Sequence, residues 1–183
     1  DWQRFRLLGA TNPTYFALYA RRRMEVYGAT TADFAAIKVK NSRHGLENPN
    51  ARYRKEVTVD DVMNSAVVAD PLRLLDICAT SDGAAAVILA TPQAAARFGH
   101  KGGVRLAAVS TVTPTFPQTV IELPNFSTDS AVVDGAGSLP FRQAIAHAAY
   151  EEAGLGPDDL DLAEVYDLST ALELDWYEDI GLC

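Results

Sequence analysis

An α/β fold is what this sequence predicts, and three observations carry the expectation. Short apolar runs bounded by turn residues recur along the chain. Segments with helix caps and helix stops follow them. At 183 residues and 48% hydrophobic residues, the chain has material for one ordinary core or parts of two. Strands alternating with helices argue for an α/β arrangement.

The elements are read in chain order. Asn12-Pro13 is a cap followed by a first-turn proline, and the helix it opens is expected to run to Gly28. Tyr15, Leu18, Tyr19 and Met24 follow its apolar spacing. A second helix starts near Thr31 and carries Phe34 and Ile37, and "NSRHGLENPNARYR" then reads as loop. "TVDD", Thr58 to Asp61, resembles a capping box before a short helix, with Asp in the place where Glu is commoner. "GAAAVILA" predicts a buried strand over 84–90. "TPQAAARFG" follows as cap, first-turn proline and glycine stop, a helix over 92–98. "VRLAAVST" predicts a strand over 103–110. "PFRQAIAHAAYEEAG" predicts a helix over 140–153, with Phe141, Ile145, Ala148 and Ala149 on one face and Gly154 as its stop. "LAEVY" reads as a strand over 162–166 and "STALELDWYEDIGL" as a helix over 170–180.

Charge is unevenly placed. Residues 1–55 hold eleven Lys/Arg against four Asp/Glu, a balance of +7, and residues 56–183 hold five against twenty, a balance of −15. The triplet Arg21-Arg22-Arg23 reads either as a solvated helix face or as a basic cover over an anionic ligand carrying phosphates. The larger acidic segment would repel duplex nucleic acid, so no nucleic-acid partner is expected. Cys78 and Cys183 have no CxxC spacing and no neighbouring histidine, which suits a reducing, cytoplasmic setting and gives neither a disulfide framework nor a metal site. No apolar run approaches 18 residues and no signal-peptide pattern is seen. The chain opens at "DWQRF" without Met and stops at "GLC" just after a helix, which reads as a piece of a larger protein.

The junction "EVYDLST" is the richest in chemistry. In α/β sheets, ligands bind beyond the carboxyl ends of strands, where the next helix points its N-terminus. Tyr166 and Asp167 occupy that position. A phenol there faces the positive end of a helix dipole, which favours its ionised form. The other reading makes Tyr166 a gap-filling ring with a bonded hydroxyl and Asp167 the helix cap. His44 reads as an exposed loop histidine, His100 as a surface residue, and His147 as part of a helix with small neighbours. "HKGG" is too short for a phosphate-binding loop. "DGAGS", Asp134 to Ser138, precedes a helix, and its small residues Gly135, Gly137 and Ser138 allow a ligand to approach closely.

Several blocks resemble one family. "CATSDGAAAVIL" looks like the final strand region of a thiolase N-terminal half, and the block from "LPFRQAIAHAAYEEAG" to Cys183 looks like the start of its C-terminal half. "YARRRMEVYGAT" and "KNSRHGLENPNARYR" resemble the cover region of the sterol-carrier-protein-X branch. The resemblance implies a layered αβαβα thiolase fold. Residues 1–70 would be the helical cover of the N-terminal half, 71–100 its last strand and helix, and 101–183 the start of the C-terminal half.

The departure from that family is as informative as the match. Classical thiolases have Asn-Glu-Ala-Phe, and the sterol-carrier branch His-Asp-Cys-Phe, where this chain has Tyr166-Asp167-Leu168-Ser169. Tyrosine there resembles the thiolase-like steroid side-chain aldolases. These cleave a 17-hydroxy C22 steroid CoA thioester to a 17-keto steroid and propionyl-CoA without a covalent acyl-enzyme. The resemblance implies Tyr166 and Asp167 as catalytic residues, Gly135, Gly137 and Ser138 near the acyl pocket, and Arg21 and Arg22 as candidate CoA contacts. It implies no cofactor besides the CoA thioester substrate, a homodimer, and an OB-fold, zinc-containing acyl-CoA-binding partner. An acetyltransferase or thiolase of the sterol-carrier type, with its nucleophilic cysteine falling before Asp1, stays open. So does a non-catalytic acyl-CoA or sterol-binding module.

Overall fold

The computed structural model describes residues 6–100, 103–112 and 141–183. Its centre is a packed set of helices. α1, Asn12–Tyr27, begins after Thr11, one residue before the expected cap, and stops at Gly28, whose φ of 71° and N–H bond to Met24 O close the last turn. A left-handed residue costs glycine little, so the stop is where the sequence places it. The buried face of α1 is Phe16, Ala17, Tyr19 and Ala20, with Tyr15 and Met24 partly buried beside it.

α2, Thr31–Glu47, opens with a full capping box: the Thr30 hydroxyl accepts from Asp33 N–H, and the Asp33 carboxylate accepts from Thr30 N–H. It buries Phe34, Ala35, Ile37 and Ser42. The helix continues through "NSRHGLE", where a loop was expected. Gly45 is accommodated because a Cβ there would meet Tyr53 O at 3.2 Å, so the following loop packs its backbone against the bare glycine. The stop is Asn48, and Pro49 behind it turns the preceding residue away from helical geometry. α3, Val59–Met63, carries the box read from "TVDD", with reciprocal bonds between Thr58 and Asp61.

A hairpin follows, β1 (Val67–Ala69) antiparallel to β2 (Leu72–Arg73), and then a 3₁₀ turn, Leu74–Asp76. α4, Pro92–Arg97, has Thr91 as its cap, accepting from Ala94 N–H. α5, Phe141–Ala153, ends at Gly154, whose N–H reaches Tyr150 O at 2.9 Å. α6, Thr170–Asp179, is capped by Ser169. The core joins Phe16, Ala17, Tyr19 and Ala20 of α1 to Phe34 of α2, Leu72 of β2, and Ala171 and Leu172 of α6.

The expected strands at 84–90, 103–110 and 162–166 form no ladder among the described residues. A strand is a pairing relation, and these runs have no neighbour to pair with. Their apolar side chains stand in solvent: Val87 is 82% exposed and Ile88 93%. No described helix is long and apolar enough to cross a membrane.

Candidate functional site around the α6 entry

The N-terminus of α6 is pinned from two sides. Ile77 and Ser169 form an antiparallel bridge, and Cys78 N–H donates to Leu168 O at 3.1 Å. The Ser169 hydroxyl, fully buried, accepts from Leu172 N–H at 3.3 Å. Thr170 donates its hydroxyl to Asp76 Oδ1 at 3.2 Å, and Asp76 Oδ2 accepts from Arg73 N–H at 2.9 Å. Burial pushes the Asp76 carboxyl above its ordinary range, against the pull of those donors. The capping duty that one reading gave Asp167 therefore belongs to Ser169, which leaves the Asp167 carboxyl for other work.

Tyr166 and Asp167 differ in environment. The Tyr166 side chain is exposed, at 63%. Asp167 is half-buried, and its Oδ2 accepts from Asn41 Nδ2 at 3.3 Å. Burial raises its pKa first, and the Glu173 charge adds to the rise, while Lys38 and the Asn41 bond oppose it. Behind Asp167 lies a denser cluster. Glu173, on α6 and 1% exposed, takes Asn41 Nδ2 on Oε2 at 2.5 Å, and Lys40 Nζ and the Tyr177 hydroxyl on Oε1. Lys40 also sits over the Tyr177 ring, 5.0 Å from its centroid. Burial works against the Lys40 charge, yet its bonds to Glu173 and Tyr177 raise its pKa overall. A buried carboxylate persists only when paired and hydrogen-bonded, and this one is.

The Arg21–Arg23 triplet divides. Arg21 is exposed and pairs with Asp70 in the β1–β2 turn. Arg22 is exposed. Arg23 is structural: its guanidinium bonds Asp175 at 2.7 Å and Glu178, and lies 5.3 Å from the Tyr27 ring. Arg142 of α5 joins this second network, 3.0 Å from Asp179 and stacked 5.1 Å from Trp176. Gly135, Gly137 and Ser138 lie outside the described residues. His44, His100 and His147 are exposed. Lys40, Asn41, Glu173 and Tyr177 were not singled out by sequence. The available signal was the i, i+4 spacing of Glu173 and Tyr177, which puts both on one face of α6.

This arrangement can be set beside known proteins. Residues 129–183 match the family described as thiolase C-terminal domain-like. The chain is 35% identical to the benzoylsuccinyl-CoA thiolase subunit BbsB of Thauera aromatica, over 96% of this chain and 42% of that one. It is 33% identical to the 17-hydroxy-3-oxo-4-pregnene-20-carboxyl-CoA lyase of Mycobacterium tuberculosis, over 95% of this chain and 43% of that one. Among solved structures it is similar to the Ltp2-ChsH2(DUF35) aldolase, with a TM-score of 0.69 and 26% identity, covering 94% of this chain and 43% of that chain. The fold is thiolase-like. Along nearly its whole length the chain is similar to thiolase-superfamily proteins, and it spans less than half the length of each of these relatives.

Proposed function

We propose that the chain contributes to a carbon–carbon lyase that cleaves a β-hydroxyacyl-CoA by a retro-aldol reaction, on a 17-hydroxy steroid side-chain thioester. The observation that carries this is the Tyr166-Asp167 pair: an exposed phenol beside a half-buried carboxyl, on a backbone pinned at 168–169 and capped by Ser169. Similarity to an enzyme named as a lyase of such a thioester supports the substrate class.

The reaction needs few parts. A base removes the proton of the β-hydroxyl, the Cα–Cβ bond breaks, and its electron pair passes into the thioester as an enolate. Protonation at Cα then releases the shorter acyl-CoA, and the β-carbon leaves as a ketone. Tyr166 is the acid/base group, within reach of an entering ligand because its ring is not packed away. Asp167, held by Asn41, orients the phenol or exchanges its proton. No cysteine nucleophile takes part. Residues 1–70 are the helical cover, 71–100 the end of the N-terminal half, and 101–183 the opening of the C-terminal half. The bare apolar runs at 84–90 and 103–110 suit burial in the sheet of such a fold. Gly135, Gly137 and Ser138 serve the acyl pocket. The protein works as a homodimer with an OB-fold, zinc-containing partner of the DUF35 kind. Similarity to an aldolase solved together with a DUF35 protein supports that partner.

A second reading has its own support. Identity of 35% to a thiolase subunit favours thiolytic cleavage of a β-ketoacyl-CoA, a reaction that consumes free CoA. The two are separated by supplying the full chain and its partner with hydroxyacyl and ketoacyl thioesters, with and without CoA. Ketone release from the hydroxyacyl thioester without added CoA is expected. Turnover of the ketoacyl thioester alone, dependent on CoA, would overturn the lyase reading.

CoA contacts give a separate expectation. Arg21 and Arg22 are exposed on α1, and the Arg21–Asp70 pair, exposed on both sides, holds Arg21 only weakly. Reversing both charges (Arg21→Glu with Arg22→Glu) should raise the Kd for acyl-CoA by about 10-fold, an effect that shrinks with added salt. Arg23 is kept, because its ties to Asp175 and Glu178 are structural. Unchanged affinity in a titration at low ionic strength would return the pair to the role of a solvated face.

A further inference from the structure

Asn41 is the one side chain that touches both Asp167 and the buried Glu173 cluster in the bonds described above. Its Nδ2 lies 3.3 Å from Asp167 Oδ2 and 2.5 Å from Glu173 Oε2. A primary amide nitrogen carries two hydrogens, so it can donate one to each carboxylate. α2 supplies Asn41 and α6 supplies Glu173, and Asp167 stands two residues before the Ser169 cap. The amide is thus a bridge from the helical cover to the loop that carries Tyr166.

We propose that Asn41 is a positioning residue for the Asp167 carboxyl, and that the buried Glu173 is the anchor from which it acts. The inference rests on the reading of Tyr166 and Asp167 as the reacting pair. Glu173 is fixed in place by Lys40 and Tyr177 on its other oxygen, so it offers the amide a rigid acceptor. A group oriented by a rigid acceptor holds its second hydrogen in a set direction, and that direction is toward Asp167. The neutral amide also separates two carboxylates that would otherwise face each other. The charged and titratable groups around Asp167 are Glu173 on α6 and Lys38 on α2, with Lys40 and Tyr177 one bond further on. Removing the amide would leave Asp167 without this donor while Glu173 keeps Lys40 and Tyr177.

A donor to a carboxylate favours its ionised form, so losing the donor raises the titration midpoint. The test is the Asp167 carboxyl titration, followed by 13C NMR in the full chain labelled at aspartate, for wild type and Asn41→Ala. Asp167→Asn identifies the resonance. One lost hydrogen bond corresponds to an upward move of about 0.5–1 pH unit. In turnover, Asn41→Ala should lower kcat by about 10-fold or more with KM within about threefold, as expected for a misplaced group, and the acid limb of kcat should rise with the NMR midpoint. If Asn41→Ala does not fold, Asn41→Ser, which fills less space but keeps a hydroxyl donor, is held to the same criterion with a smaller shift. An unmoved midpoint in a folded variant overturns the inference and leaves the proposed function standing. A moved midpoint in a protein with no lyase turnover supports the positioning and defeats the function.

Discussion

Glu173→Ala should destabilise the fold by several kcal/mol, because each buried donor left without its acceptor costs about 1–3 kcal/mol. Glu173 is 1% exposed and accepts from Lys40, Asn41 and Tyr177, so one truncation removes the acceptor of three donors. Lys40, 38% exposed at its side chain, can turn to water. The Asn41 amide and the Tyr177 hydroxyl are held by packed helices and lose more. The truncation also leaves a void between α2 and α6, which adds a cavity cost. Glu173→Gln separates the contributions. Its amide oxygen still accepts from one or two donors, while its NH2 takes the place of the other acceptor oxygen and the charge pairing with Lys40 is lost, so its cost should be smaller than that of the alanine. Urea unfolding checks both: the midpoint should fall for the two variants in that order, with the slope unchanged. A Glu173→Ala midpoint equal to wild type would show that the cluster adds nothing to stability.

How much of this could be read beforehand depends on whether the cause was local. Helix ends were legible because caps and stops are local chemistry: Gly28, Thr58 with Asp61, Thr91 and Gly154 all act where they were expected. The end of α2 was missed because Asn41 to Gly45 has loop composition, and the support for Gly45 comes from Tyr53, eight residues away. The strand readings at 84–90 and 103–110 rest on apolar composition alone. Composition prepares a segment for burial but cannot supply the neighbour that a ladder needs. Arg23 was hidden in a basic triplet, since nothing in "RRR" says which of the three meets Asp175. Glu173 was hidden for a related reason. A charged residue in a helix reads as surface, and only contact with Lys40 and Asn41, more than a hundred residues earlier, makes it interior. The Tyr166-Asp167 junction was legible as a place, because it precedes a helix. The group that bonds Asp167 was not.

Tyr166→Phe carries the largest expected loss of activity. The substitution removes one oxygen from a ring that is 63% exposed, so the core of Phe16, Phe34, Leu72 and Leu172 is untouched and folding should be unchanged within about 0.5 kcal/mol, as for surface substitutions generally. Loss of a general acid/base group slows a reaction by about 10²–10⁴-fold. Binding of the thioester depends little on the hydroxyl, so the loss should fall on kcat, with KM moved only slightly. Asp167→Asn should lose less, since the role proposed for Asp167 is to orient the phenol, which an amide can also do while giving up proton exchange.

The most direct measurement is single-turnover cleavage of a 17-hydroxy steroid side-chain CoA thioester by the full chain with its partner, wild type against Tyr166→Phe, at saturating substrate and without free CoA. A variant that binds the thioester, melts with wild type and releases the 17-ketone at least about 10²-fold more slowly is the result expected of a catalytic Tyr166. Release of the ketone at the wild-type rate by a folded Tyr166→Phe would contradict it.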